Sequence, residues 1–322
     1  MIVTEPFNTY RLRKNFWSPS DYKNADSPAE VKFNRELQTK KSTPDLEFGR
    51  FFHTYILEPD KLSDEIIKVD ISMFPHRTEN DDGTIRLRTK ANQVKLKELR
   101  DQANVQGKTL VMPQHTEMAE RMKQALHIAI PQLTSLIDPD EGKIESSFYG
   151  IAKFDKKGYF DGFRDTDSFF PYCEENELPV KTRPDYIRND ARYGADLKTC
   201  SCCKPHVFAA DCVNYGYDAQ AAFIMDFCGF MLNQTVADFY FIVVEKKTKK
   251  DELINAVCYM TPENMMLNGR EIYQIRLEQI YKSIKSGNWQ GMEIHSGCEY
   301  DGMVSPVTIP YPFWAIKDKR FW

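Results

Sequence analysis

At residue 144 the periodicity of the chain changes from helical to alternating, and that change limits the folds open to it. IESSFYGIAKF and GYFDGFRDT alternate apolar and polar side chains with the period of two that suits half-buried strands. VKTRPDYIR and YGADLKT continue the pattern, joined by the turn-prone NDAR. Residues 211–233, DCVNYGYDAQAAFIMDFCGFMLN, then place apolar groups at helical spacing over several turns. ADFYFIVVEKK and INAVCYMT read as strands again, and residues 262–287 as a long amphipathic helix. Strands interleaved with helices in this order predict a mixed α/β (α+β) fold, a central mixed sheet flanked by helices.

Upstream of the switch, SPSDY and SPAEVKFNRELQ predict short helices with serine caps. LEFGRFFHTYIL (46–57) is dense enough in apolar groups for a buried helix, and residues 90–106 and 114–129 carry helical spacing. Residues 59–90 read as irregular, with PHRTENDDGT as a loop. The expectation is a single domain over 1–322: a mainly helical part to residue 140 and a sheet core from 141. GKT at 107–109 is not the end of a phosphate-binding loop, because position 102 is Gln and LVMP after it looks extended.

Composition excludes several classes. With 42% hydrophobic residues, the chain can build a sizeable core and is not disordered as a whole. No run of about 18 apolar residues is present, so no membrane span is expected. The N-terminus MIVTEPFNTYRLRKNFW lacks a signal-peptide core, which predicts a cytoplasmic protein. A net charge of −4 argues against coating nucleic acid by bulk attraction but leaves room for a local basic channel. Eight cysteines (173, 200, 202, 203, 212, 228, 258, 298) are too sparse for a disulfide scaffold. C-x-C-C at 200–203 lacks the paired C-x2-C spacing of zinc and iron–sulfur sites, so free thiols are expected.

One stretch carries candidate chemistry, KTRPDYIRNDARYGADLKT at 181–199. In Asp196-Leu197-Lys198 the two polar side chains are two apart, so on a strand they share a face while Leu197 turns into the core. Pro184 restrains the backbone before Asp185, and a short hairpin would bring Asp185 level with Asp196. Converging carboxylates repel unless a cation lies between them, and Mg²⁺ suits hard oxygen ligands. The bland alternative is a solvated hairpin with surface ion pairs, and spacing alone does not decide between them. Lys181 and Arg183 read either as solvated charges or as contacts to a phosphate backbone. EKKTKK at 245–250 reads as an exposed strand end, and Asp161, Asp165 and Asp167 as solvent-facing.

The ordered set GRFFH, IESSFYG, RPDYI, DLKT and YDAQAAF resembles the PD-(D/E)xK exonucleases over roughly residues 18 to 316. Within them it is most similar to the nuclease domain of exodeoxyribonuclease VIII, related to lambda exonuclease. FGRFFHTYILEPDKL, GKTLV and PYPFWA extend the likeness. The resemblance implies a restriction-endonuclease-like core and assigns roles residue by residue. Asp185, Asp196 and the Leu197 carbonyl would bind Mg²⁺, with Mn²⁺ as a substitute. Glu145 would bind the metal directly or through water, His53 would lie beside it, and Lys198 would be the catalytic lysine. Taken alone, His53 on an apolar helix reads as a core histidine and Glu145 as a solvated strand residue. Gln220 matches the Gln of a DNA-contacting Q-x-x-x-Y motif, but Ile224 stands where its Tyr belongs, and Tyr217 one turn earlier would supply the hydroxyl. The implied activity is Mg²⁺-dependent degradation of linear double-stranded DNA from an end, 5′ to 3′, leaving 3′ overhangs for recombination. The implied partners are DNA ends, further copies in a ring (tetramer or trimer) and a single-strand annealing protein. A RecB-type nuclease for single strands or special structures, and a non-catalytic DNA-end or partner-binding module, remain as alternatives.

Overall fold

The computed structural model describes residues 1–291 apart from 24, 26, 38–42, 75–76, 80–84 and 248–251. PYPFWA, Cys298, most of PHRTENDDGT and the end of EKKTKK therefore lie outside the described residues. The N-terminal part contains strand β1 (Ile2–Val3) and helices α1 (Phe7–Leu12), α2 (Pro19–Tyr22), α3 (Pro28–Leu37), α4 (Pro44–Leu57) and α5 (Leu62–Glu65). Short strands β2 (Ile66–Lys68), β3 (Thr78–Glu79), β4 (Ile85–Arg86) and β5 (Thr109–Val111) alternate with helix α6 (Lys90–Val105). Helices α7 (Pro113–Ala129) and α8 (Leu133–Leu136) complete this part. Strands β6 (Gly142–Ile144), β7 (Ser147–Phe154), β8 (Phe160–Asp165), β9 (Glu177–Thr182), β10 (Tyr186–Arg188) and β11 (Tyr193–Cys200) follow. Then come α9 (Pro205–Asn214), α10 (Tyr217–Leu232), β12 (Asp238–Glu245), β13 (Ala256–Met260) and α11 (Glu263–Ser286). The chain is thus mixed α/β, as its periodicity predicts.

The strands form two principal sheets. One has the order β13-β12-β11-β10-β6, with β11 and β12 parallel and the other neighbours antiparallel. In the other, β7 pairs with β9 along one edge and with β1 and β8 along the opposite edge. Each face of the five-stranded sheet has its own apolar core. Ile187, Phe239, Phe241 and Val243 pack with residues of α10 and α11, while Tyr186, Leu197, Ile242 and Val244 pack with residues of α4 and α7. This two-sided burial fixes the register of β11. Leu197 is 1% exposed, which contributes about 2 kcal/mol, and a slip of one residue would turn Asp196 and Lys198 into that core instead.

Three predicted elements are divided in the structure. VKTRPDYIR is not one strand: it leaves one sheet at Thr182 and joins the other at Tyr186. Pro184 lies in the crossing, where its missing N–H interrupts any ladder. IESSF divides between β6 and β7, with Glu145 between them at φ 45°. The helix read from 211 to 233 breaks at Gly216, whose φ is 59°, and α9 begins earlier, at Pro205.

Candidate active site

Three acidic residues stand on one rung of the five-stranded sheet. Ile144 pairs with Tyr186 in the β6–β10 register, so the next pair outward is Glu145 with Asp185. The Glu145 N–H confirms it by donating to Asp185 O at 3.0 Å. Tyr186 pairs with Ala195 in the β10–β11 hairpin, so Asp185 is level with Asp196, as the sequence suggests. Side chains opposite one another in antiparallel pairs share a face. The rung continues inward from Asp196 to Phe241 on β12, in the apolar core. The carboxylates therefore sit where the core gives way to the margin of the sheet. Asp185 is 8% exposed and Asp196 2%.

Each carboxylate has a distinct set of contacts. Asp185 Oδ2 accepts the Leu197 N–H at 2.6 Å and lies 3.4 Å from His53 Nδ1, which α4 brings in from the other side. Glu145 Oε1 lies 3.9 Å from the same nitrogen, and Glu145 Oε2 receives Arg183 Nε at 2.7 Å. Asp196 is ion-paired with Lys198, the next side chain on its face of β11. Lys198 Nζ also stands 4.6 Å from the centre of the Tyr217 ring.

The charges adjust one another. For His53, burial opposes the proton, but Asp185 and Glu145 outweigh it and raise the pKa to about 10, so an imidazolium lies between the two acids. Burial, with the negative charge of Asp196, pushes the Asp185 pKa up, and His53 offsets part of that. Glu145 is held below the usual carboxylate range: burial works against its charge, but His53 and Arg183 favour it more. Partial burial also works against the charge of Lys198, yet Asp196 and then Asp185 keep its pKa above that of an ordinary lysine.

These groups fit a hard divalent cation. Glu145 and Asp185 each offer a ligand atom, and so does His53 once a cation displaces its proton; those atoms lie within 4.8 Å of one another. Asp196 Oδ2 is buried against the Lys198 ammonium, and the Asp196 carboxylate, level with Asp185, adds a further hard oxygen beside this group. The set differs in emphasis from the pair Asp185 and Asp196: Asp196 is on the rung but faces the lysine, and His53 takes its place in the tight group.

The remaining candidates divide. Tyr217 and Gln220 occupy the first turn of α10 and are half-buried, and Gln220 Oε1 accepts a hydrogen bond from Lys23. Ile224 is fully buried and presents nothing to a ligand. Lys181 and Arg183 are placed inside the protein. The Lys181 ammonium donates to Tyr10 O at 2.6 Å and Arg13 O at 2.8 Å, with the residue 4% exposed. Arg183 joins Glu145 to Glu5 O and Ser147 Oγ, with its side chain also 4% exposed. Both therefore brace the N-terminal segment rather than face a phosphate backbone. Sequence reasoning missed this anchoring of Glu145, because Arg183, which supplies it, is 38 residues further along the chain. The described cysteines are free thiols. Cys200 shares the Lys198 face of β11 but packs on the apolar core, where burial pushes its pKa to about 12. Among the described residues, no cysteine belongs to a metal-ready group.

A carboxylate rung with Pro-Asp leading into one strand and Asp-x-Lys on the next, in a mixed sheet between helical layers, defines the PD-(D/E)xK class of nuclease folds. The chain belongs to the family described as a PDDEXK-like domain of unknown function, DUF3799, whose sequence profile matches residues 18–300. Its fold is similar to the crystal structure of a protein from Eubacterium rectale described provisionally as an exonuclease. That match has a TM-score of 0.51 and 12% identity, and covers 95% of this chain and 97% of the other. No curated protein matches the chain by sequence. Among the described residues, no helix is long and apolar enough to cross a membrane.

Proposed function

We propose that this chain is a metal-dependent exodeoxyribonuclease that removes nucleotides from an end of linear double-stranded DNA. The observation that carries the reading is the rung Glu145–Asp185–Asp196, with His53 against one end and Lys198 against the other. The resemblance to exodeoxyribonuclease VIII, and the description of the Eubacterium rectale protein, favour action at ends over internal cutting. By the same resemblance, digestion runs 5′ to 3′ and leaves 3′ overhangs. The acting form is a ring of three or four copies, and a single-strand annealing protein takes up the product strand.

Mg²⁺ is the cation that hard carboxylate oxygens favour, with Mn²⁺ as a substitute. His53, Glu145 and Asp185 would hold it, with Asp196 and the Leu197 carbonyl alongside. When bound, the cation lowers the pKa of water and withdraws charge from the phosphate oxygens. The protein's own groups do the rest. Lys198, held protonated by Asp196 in the metal-free protein, serves as a donor and a positive charge beside the reacting phosphate. Arg183 keeps Glu145 ionised and in place. The Leu197 N–H orients Asp185 by holding one of its oxygens.

Release of nucleotides from a linear duplex, with and without Mg²⁺, tests the proposal. The parent is expected to release them only with Mg²⁺, and Lys198→Ala not to release them. No release by the parent, or equal release by the variant, would sink the nuclease reading. A covalently closed circle of the same sequence should survive, and its digestion would point to internal cutting.

A further inference from the structure

The first turn of α10 holds both Tyr217 and Gln220, and one lysine from the N-terminal part of the chain meets them both. Lys23 closes α2, which is fixed by the Ser18–Asp21 capping box and by fully buried Tyr22. Its backbone lies so near α10 that a Cβ added at Gly216 would stand 2.5 Å from Lys23 O. Gly216 also has φ 59°, so glycine is required there twice over. From this anchor the Lys23 ammonium donates to Gln220 Oε1 and stands 5.0 Å from the Tyr217 ring centre. Lys198 Nζ stands 4.6 Å from the same centre. The two ammonium groups thus share one ring and lie within about 10 Å of each other.

This arrangement has a polarity. An amide whose oxygen accepts from an ammonium directs its NH₂ group elsewhere, so Lys23 fixes Gln220 as a donor. A phosphate of a bound strand would meet Lys23 and the Gln220 N–H groups together, beside the reacting centre.

We infer that Lys23 is a positioning residue for the DNA strand: it sets the Gln220 amide as a donor to a backbone phosphate and adds a positive charge there. The inference rests on the reading of the site as a DNA nuclease. It assigns a role at the site to a residue at the end of a four-residue helix, remote in sequence from every strand of the catalytic rung.

The test compares the full-length parent with Lys23→Met, Lys23→Arg and Gln220→Ala. Binding to a fluorescent linear duplex is measured in EDTA over a range of salt, and cleavage kinetics are measured in Mg²⁺. Lys23→Met is expected to weaken binding about tenfold at low salt and to reduce the slope of log K against log [salt] by about one. It should raise KM more than it lowers kcat, and adding Gln220→Ala to it should cost little more. Lys23→Arg should restore the slope, which a merely structural lysine would not affect. If Lys23→Met fails to fold, Lys23→Gln takes its place. An unchanged slope in the neutral variant, or an arginine variant as weak as it, overturns the role of Lys23 and leaves the nuclease reading intact. A parent that binds DNA but never cleaves it overturns the nuclease reading, while the salt slope still decides Lys23. A parent that does not bind DNA overturns both.

Discussion

Arg183 Nε donates to Glu145 Oε2 at 2.7 Å, and through its other nitrogen the same guanidinium holds Glu5 O at 2.7 Å and Ser147 Oγ at 3.3 Å. One side chain therefore ties the N-terminal segment, the start of β7 and the outermost carboxylate of the rung into a single unit. It issues from the segment where the chain passes from one sheet to the other, so the site is assembled at the seam between the sheets.

Removing that guanidinium should be costly in the resting protein. Arg183→Met would leave the half-buried Glu145 with His53 alone as counter-charge and three hydrogen bonds unmade, and a loss of about 2 kcal/mol in urea unfolding is expected. Arg183→Lys should recover only part of it, because an ammonium cannot reproduce the fork that reaches all three partners. If Arg183 instead faced DNA, the lysine variant would keep its stability and change only binding.

Glu145 adopts a left-handed backbone, φ 45°, at the point where its N–H must reach Asp185 O. A side chain costs roughly 1–2 kcal/mol in that conformation, whereas glycine adopts it freely. Glu145→Gly should therefore be about 1 kcal/mol more stable than Glu145→Ala, though both lack the carboxylate and both should bind divalent cations weakly. Equal stabilities would mean the backbone relaxes once the side chain is gone.

Half-buried Lys198 and buried Asp196 form an ion pair, and each is worse off alone. Lys198→Ala should lower cleavage by at least about a hundredfold, as loss of one charge-stabilising group does. It should also destabilise the fold by about 3 kcal/mol, since Asp196 would keep a buried charge without a partner. Adding Asp196→Asn should recover most of the stability and none of the activity. Recovery of both would remove Lys198 from the chemistry.

The parts of this site that could be read in the sequence are the local ones. Alternation put Asp196 and Lys198 on one face with Leu197 opposite, and the NDAR turn set Asp185 level with Asp196, because strand period and hairpin register are properties of neighbouring residues. Alternation could not place Glu145, which stands off the strand in a conformation that no periodicity encodes. The mixed sheet was legible for the same reason as the hairpin, whereas the two breaks, at Pro184 and Gly216, depend on which sheet or helix the next segment joins. Lys181 and Arg183 were the least legible. A basic residue beside a candidate site looks like a phosphate contact until its partners are known, and here those partners include Tyr10, Arg13 and Glu5, more than 165 residues away.

The burial of Lys181 gives a test with a defined sign. Burial lowers its pKa from 10.5 to about 8, so between those values the unfolded chain binds more protons than the folded one. Folding stability from this group is therefore fully present above pH 10.5 and is lost as the pH falls through about 8. His53 has the opposite sign, because its raised pKa makes stability fall as the pH rises from 6.5 towards about 10. The parent alone would mix the two, so the informative quantity is the difference between the parent and Lys181→Met. Methionine fills the same space without a titrating group, and His53 cancels in the comparison. Urea unfolding at steps from pH 7 to 10.5 should show the parent gaining on the variant as pH rises. A flat difference would mean that the ammonium keeps its proton on the Tyr10 and Arg13 carbonyls, and that these two hydrogen bonds outweigh the burial.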